Sequence, residues 1–281
     1  MQRPRIALGL ICLTLSVFVA CAPSEEKLAA QKEQENQQKL EELQQQHDAL
    51  LEKRAQLAED KARLAAGAEE DGAEAPSAEG TAEAAEGGEG GTEMTQEELA
   101  AEVDRLEKEV EEDAGAFYKT LTEFINTDVP IIQGEPMSDI QKAAVRMKSD
   151  EEMLMANEYI EQGGDYKRAI SIYQQALVAD PDNAELQAAL EKAQSLRFMS
   201  EERLEQVKKG MNEDEVRELL GQPNVYNVRE YEKQGVTAWY YPTNEEGAAA
   251  AVWFRPRRGE LQVYKTDFNA VAGRTDEEGS E

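Results

Sequence analysis

The sequence predicts a mixed fold: a long N-terminal helix, a helical region with a hairpin at its centre, and a small α+β C-terminal module with an antiparallel sheet. Three observations predict it. Leu43, Leu50, Leu57 and Leu64 recur every seven residues in a polar, Gln- and Glu-rich stretch, the period of a coiled-coil seam. Leu99, Val103, Leu106, Val110, Phe117, Leu121 and Phe124 then alternate spacings of three and four, an apolar stripe on a second helix. Most of the aromatic residues fall after residue 200, in short strand-like runs behind a small helix capped at both ends.

The chain has 281 residues and a formal net charge of −29. That balance excludes nucleic acid as a partner, because phosphate binding needs concentrated Lys and Arg. At the N-terminus Arg3 and Arg5 precede an apolar run, Ile6 to Ala20, too short to span comfortably as a membrane helix. It ends in Phe18-Val-Ala-Cys21, which resembles a bacterial lipobox. Residues 1–20 are therefore expected to be a lipoprotein signal peptide and Cys21 the lipidated N-terminus. The only other cysteine is Cys12, inside the apolar run, so no disulfide is available beyond residue 21. Each buried methylene of an acyl chain contributes ~0.8 kcal/mol to anchoring. Ala22 follows where an Asp would signal inner-membrane retention, which favours the outer membrane with the protein facing the periplasm.

Residues 21–65 read as a polar helix or weak coiled coil. His47, Arg54 and Lys61 occupy the second seam position, so two readings stand: a solvated single helix, or a weak oligomer through this helix. His47 is expected to face water. Residues 66–94 are Ala-, Gly- and Glu-rich, and every charge from Glu69 to Glu98 is acidic; such a segment has almost nothing to bury and reads as a flexible linker. Thr95-Gln-Glu-Glu98 is a capping box that opens the second helix. Pro136 and Ser138 start a further helix, expected over Ser138–Lys148, within a helical region spanning 95–199.

Within that region, residues 150–183 resemble a tetratricopeptide repeat, a two-helix unit, in Gly164, Tyr166, Ala169, Tyr173, Ala176 and Pro181. Gly164 makes the turn, Ala169 and Ala176 let the helices close up, and Tyr173 fills the gap. The large residue early in the first helix is Met153, and Ala156-Asn157 replace the usual Leu-Gly pair. One such repeat cannot bury its own faces; helices at Ser138–Lys148 and Ala184–Lys209 are the expected caps.

The last folded stretch is read from its short helix. Asn212 is a good N-cap with Glu215 placed to reach back, Met211, Val216, Leu219 and Leu220 share one face, Gly221 is expected in the left-handed position after the helix, and Pro223 stops it. Together with Val207 and Gly210 these residues give Val-x-x-Gly-Met-x-x-x-x-Val-x-x-x-Leu-Gly-x-Pro, which resembles the BamE/SmpA-like outer-membrane lipoprotein domain. The aromatic strand Thr237–Tyr241, followed by Val252–Phe254 and Gly259–Val263, extends the resemblance over residues 200–268. It implies a small α+β module of the β-barrel assembly machinery, and envelope proteins as partners. Strands are expected near Val225–Tyr231, Val236–Tyr241, Ala250–Phe254 and Leu261–Lys265, with residues 269–281 a disordered tail.

Trp239 and the basic cluster Arg255, Arg257 and Arg258 are the candidate interaction residues. No catalytic constellation, metal-ligand spacing or phosphate loop is present in the sequence, so no enzyme activity, cofactor or metal is expected. Two functions compete: an envelope scaffold that assembles proteins, and a tether linking membrane to cell wall or to a larger machine.

Overall fold

The computed structural model describes residues 25–71 and 94–273. Cys21, the signal segment, most of the expected linker and the end of the tail lie outside them. Among the described residues, no helix is long and apolar enough to cross a membrane.

Helix α1 (Glu25–Asp71) has 47 residues, a rod of roughly 70 Å at ~1.5 Å per residue. Its Gln, Glu, Lys, Ala and Leu are strong helix formers, and no Gly or Pro interrupts it before Gly67. It runs on to Asp71, past the expected boundary at residue 65. Helix α2 (Gln96–Glu123) opens on the expected capping box: the Thr95 hydroxyl accepts from Glu98 N–H at 3.2 Å, and the Glu98 carboxylate accepts from Thr95 N–H at 2.9 Å. A single π-type turn, Phe124–Asp128, closes it.

The two helices lie antiparallel. As numbering rises along α1 it falls along its partner: Lys39 pairs with Asp128 at 2.9 Å, Lys53 with Asp113 at 2.6 Å, and Lys61 with Glu107 at 2.5 Å. The seven-residue leucines therefore find their seam within the chain. Leu40, Leu43 and Leu50 pack with Phe117, Leu121, Phe124 and Ile125, and Leu57 packs with Val103 and Leu106. Each such buried side chain contributes about 1.5–3 kcal/mol. This corrects the solvated single-helix reading of residues 21–65.

Helix α3 (Asp139–Gly163) is continuous, so the separate cap helix expected over Ser138–Lys148 does not exist. Nothing between Lys148 and Met153 breaks a helix, and one rod serves two cores. Ala144 and Met147 close the α1–α2 core, while Ala156, further along, packs on the next hairpin. That hairpin is completed by α4 (Tyr166–Ala179) and followed by α5 (Ala184–Arg197), started by the Asp165 and Asn183 side chains respectively. The helix expected over Ala184–Lys209 stops at Arg197 because Phe198 turns extended and Met199 N–H donates to Pro242 O at 2.7 Å. A one-turn helix, α6 (Glu201–Leu204), follows.

The C-terminal module consists of α7 (Glu213–Leu220) and an antiparallel meander of β1 (Val228–Tyr231), β2 (Val236–Pro242), β3 (Ala249–Arg257) and β4 (Glu260–Val271), in that order across the sheet. Val216 and Leu220 of α7 pack with Met199, Leu204 and Val207 against Trp239, Tyr241, Val252, Phe254 and Val263. Three strand limits differ from expectation, the first being β3, which runs on past Phe254 to Arg257. Residues 225–227 form a 3-10 turn, where the Asn224 side chain accepts from Tyr226 N–H, before β1 begins. β4 runs past the expected Lys265 to Val271, taking in residues 269–271 of the expected tail, with Val271 opposite Ala249.

Candidate functional site

The residues that define the hairpin and those that define the module meet. Gly164 ends α3 with φ 60° and ψ 26°, the left-handed conformation that glycine adopts without a Cβ clash. A Cβ there would overlap the Pro223 backbone carbonyl, and the Asn224 amide donates back to Gly164 O at 3.4 Å. Gly221 ends α7 with φ 84° and ψ 173°. This corrects the left-handed expectation: the residue is extended at positive φ, a region essentially reserved for glycine. A Cβ at Gly221 would overlap the Tyr166 hydroxyl. Tyr241 Oη donates to Gly221 O at 3.3 Å, and burial pushes both Tyr166 and Tyr241 above the ordinary phenol pKa.

The remaining hairpin residues are structural. Ala169, Tyr173 and Ala176 are buried, Tyr173 Oη donates to Asn157 Oδ1 at 2.5 Å, and Pro181 follows α4. In the module, Gly210 N–H donates to Val263 O, and Val263 N–H to Met211 O, each at 2.8 Å. Those bonds cover part of the β4 edge, and Val216 and Leu220 are fully buried.

Trp239 is 2% exposed and packs on Phe254 at 4.5 Å between ring centroids. It is core and offers no binding surface, because its strand register places it on the α7 side. The basic residues also divide: Arg255 lies over the Tyr264 ring at 4.1 Å, while Arg257 and Arg258 sit exposed at the β3–β4 turn.

The side chains that the strands turn away from α7 were not legible as a set. With Trp239, Tyr241, Val252 and Phe254 inward, alternation sends Tyr240, Ala251 and Trp253 outward. Tyr231 joins them, its hydroxyl 2.9 Å from that of Tyr240. Tyr240 meets Trp253 edge-on at 6.3 Å, and Lys265 Nζ lies 4.3 Å from the Trp253 ring centre. Partial burial, then the Tyr231 hydrogen bond, pushes the Tyr240 pKa up to about 12. A cleft of about 410 Å³ adjoins this row, lined in part by Arg229, Tyr231, Tyr240, Pro242, Ala249 and Val271. The signal that could have found the row is its phase, one residue out of step with the core.

A second cluster lies in the helical body, and it corrects the expectation for His47. That side chain is buried, stacked on Phe117 at 5.3 Å, with Nε2 3.4 Å from Glu151 Oε1. Arg54 donates two hydrogen bonds to the same carboxylate, at 2.7 and 2.8 Å. Burial pushes the Glu151 pKa up, but Arg54 and then His47 outweigh it, and the net direction is down. Among the described residues, no group of His, Cys, Asp and Glu is arranged to hold a metal ion.

Fold and surface together define a small α+β module, carried on a helical stalk, with an aromatic sheet face turned to solvent. Residues 197–270 match the family model described as Outer membrane protein assembly factor BamE domain. The C-terminal unit is thus BamE-like, and the matched segment spans α6, α7 and all but the last residue of the sheet. No curated protein and no solved structure matches the chain.

Proposed function

We propose that this chain is a non-enzymatic envelope lipoprotein that serves as a scaffold in outer-membrane protein assembly, presenting its BamE-like module to partner proteins. The observation that carries the reading is the family match over residues 197–270, on a module whose outer sheet face is free among the described residues. The Phe18–Cys21 box supports a lipid anchor at Cys21 in the outer membrane, with the protein facing the periplasm. The stalk supports a presenting role. Along α1 the module stands near the level of Lys61, since Lys61 and Gln162 line one groove and Gln162 directly precedes the Gly163–Gly164 end that meets Pro223. That is roughly 55 Å from Glu25 at ~1.5 Å per residue. In this reading residues 150–183 act as a single tetratricopeptide-like repeat, capped by α5 and by the module itself rather than by further repeats.

The competing role, a tether to cell wall or to a larger machine, uses the same stalk without needing the module. Affinity purification of the full chain from membranes, beside a chain ending at residue 199, separates the two. Recovery of barrel-assembly subunits only with the full chain supports the scaffold. Recovery of peptidoglycan with both chains would overturn it. For the anchor, intact mass of the mature protein should begin at an acylated Cys21, and Cys21→Ser should leave a longer unlipidated species.

A further inference from the structure

We infer that the outer face of the sheet is a docking surface for a carboxylate-rich segment of a partner protein, one that also carries apolar side chains. The inference rests on the scaffold reading and names the chemistry of its partner.

Three observations lead there. First, Tyr231, Tyr240, Trp253 and Tyr264 lie across four strands with Ala238 and Ala251 buried beneath them. Aromatic rings give large contact area for little loss of rotamer freedom, which is why such rows serve as interface anchors. Second, the row is rimmed by Arg229, Arg255 and Lys265, with Arg257 and Arg258 at the adjoining turn. Two acidic residues of β4 stand beside them, Asp267, held by Lys265 at 3.3 Å, and Glu260, opposite Arg257, which leaves Arg229, Arg255 and Arg258 in excess. On a chain of net charge −29 this is a local reversal of sign. It attracts carboxylates and repels the same face of a second copy. Third, the adjoining cleft of about 410 Å³ has Arg229 as its one charged lining residue, with Asn227, Tyr231, Tyr240, Ala249 and Val271 among its other sides. A carboxylate paired with Arg229 would leave its neighbouring apolar side chain over the Tyr240–Trp253 pair.

The same charge could draw anionic lipid. Geometry favours protein, because α1 holds the module near the end remote from Glu25, the described residue nearest Cys21.

The test uses the full chain purified in detergent. The probe is a soluble peptide rich in glutamate with phenylalanine interspersed, and a twin with glutamine for every glutamate. Binding is read from tryptophan fluorescence and by calorimetry. The expected result is that the glutamate peptide binds at least tenfold more tightly than its twin. The double variant Arg229→Gln, Lys265→Gln should lose that preference while keeping the wild-type circular dichroism and melting temperature. Trp253→Leu should weaken both peptides. Equal binding of the two peptides, or an unchanged preference in the double variant, overturns the proposal. So does binding of phosphatidylglycerol with none of the peptide. Peptide binding that appears only after residues 274–281 are removed overturns it too, since the chain's own acidic end would then be the occupant, and so does a dimer abolished by the same variants. If the double variant still recovers barrel-assembly subunits from membranes, the docking face is wrong while the scaffold reading stands. If the unaltered chain recovers none, the scaffold reading itself fails.

Discussion

Replacing Gly221 by alanine should damage two parts of the protein at once. The backbone there, φ 84° and ψ 173°, costs a residue with a Cβ about 1–3 kcal/mol. The new methyl would also overlap the Tyr166 hydroxyl, so the phenol must leave a site where it is only 8% exposed. Repacking the displaced phenol adds about 1 kcal/mol. The expected total is about 3 kcal/mol, a large share of a domain stability of about 5–15 kcal/mol. Amide hydrogen exchange is the assay. Because Tyr166 is the first residue of α4, protection should fall across residues 166–179 as well as 211–265. Loss confined to 211–265, with α4 unchanged, would refute the coupling and show that hairpin and module unfold independently. Tyr166→Phe with Gly221→Ala should recover part of the loss, since the overlapping oxygen is gone.

Three further outcomes follow from the helical body. A specific protease site placed between Gly88 and Gly91 should, once cut, leave two pieces that co-elute in gel filtration, because Leu40, Leu43, Leu50 and Leu57 hold α1 to the rest; separation of the pieces would contradict the α1–α2 packing. Leu121→Ala, at a fully buried position, should cost about 2–5 kcal/mol by urea melting. Glu151→Gln leaves Arg54 and His47 facing a neutral group, at a cost of about 3 kcal/mol at neutral pH. The folded-state pKa of Glu151 lies below its ordinary value, so its contribution is complete above the ordinary carboxylate range and is lost as pH falls through the folded value. Melting temperature against pH should therefore drop less steeply on the acid side in Glu151→Gln than in the unaltered chain.

The C-terminal module was the most legible part of the sequence because its information is local. Asn212, Glu215, Gly221 and Pro223 fix one short helix within a dozen residues, and strand alternation pairs Trp239 with Tyr241 and Val252 with Phe254, although it leaves open which face is buried. What failed was non-local. His47, Arg54 and Lys61 look like solvated positions in a poor seam, and nothing nearby shows otherwise. The carboxylate that receives Arg54 is 97 residues away on α3, and the core that receives Leu43 and Leu50 is supplied largely by α2 and its terminal turn. Gly221 was recognised as a helix stop, but sequence does not say which positive-φ region it takes. Tyr166, from another helix, packs where a Cβ at that position would stand. The outer aromatic row was hidden for a similar reason, since Tyr240, Tyr231, Trp253 and Tyr264 become a surface only once four strands are in register.

Residues 25–35 of α1 are exposed throughout and precede the first leucine of the α1–α2 core. This bare length of helix joins height to compass bearing. Each residue added there lifts the body by ~1.5 Å and turns it by ~100°. An insertion of seven residues raises everything by ~10 Å and leaves it facing nearly the same way, within ~20°. Four residues give ~6 Å of lift but swing the outer sheet face ~40° around the axis. A function that depends only on distance should accept both lengths; one that depends on which way the sheet faces should tolerate the seven and suffer from the four.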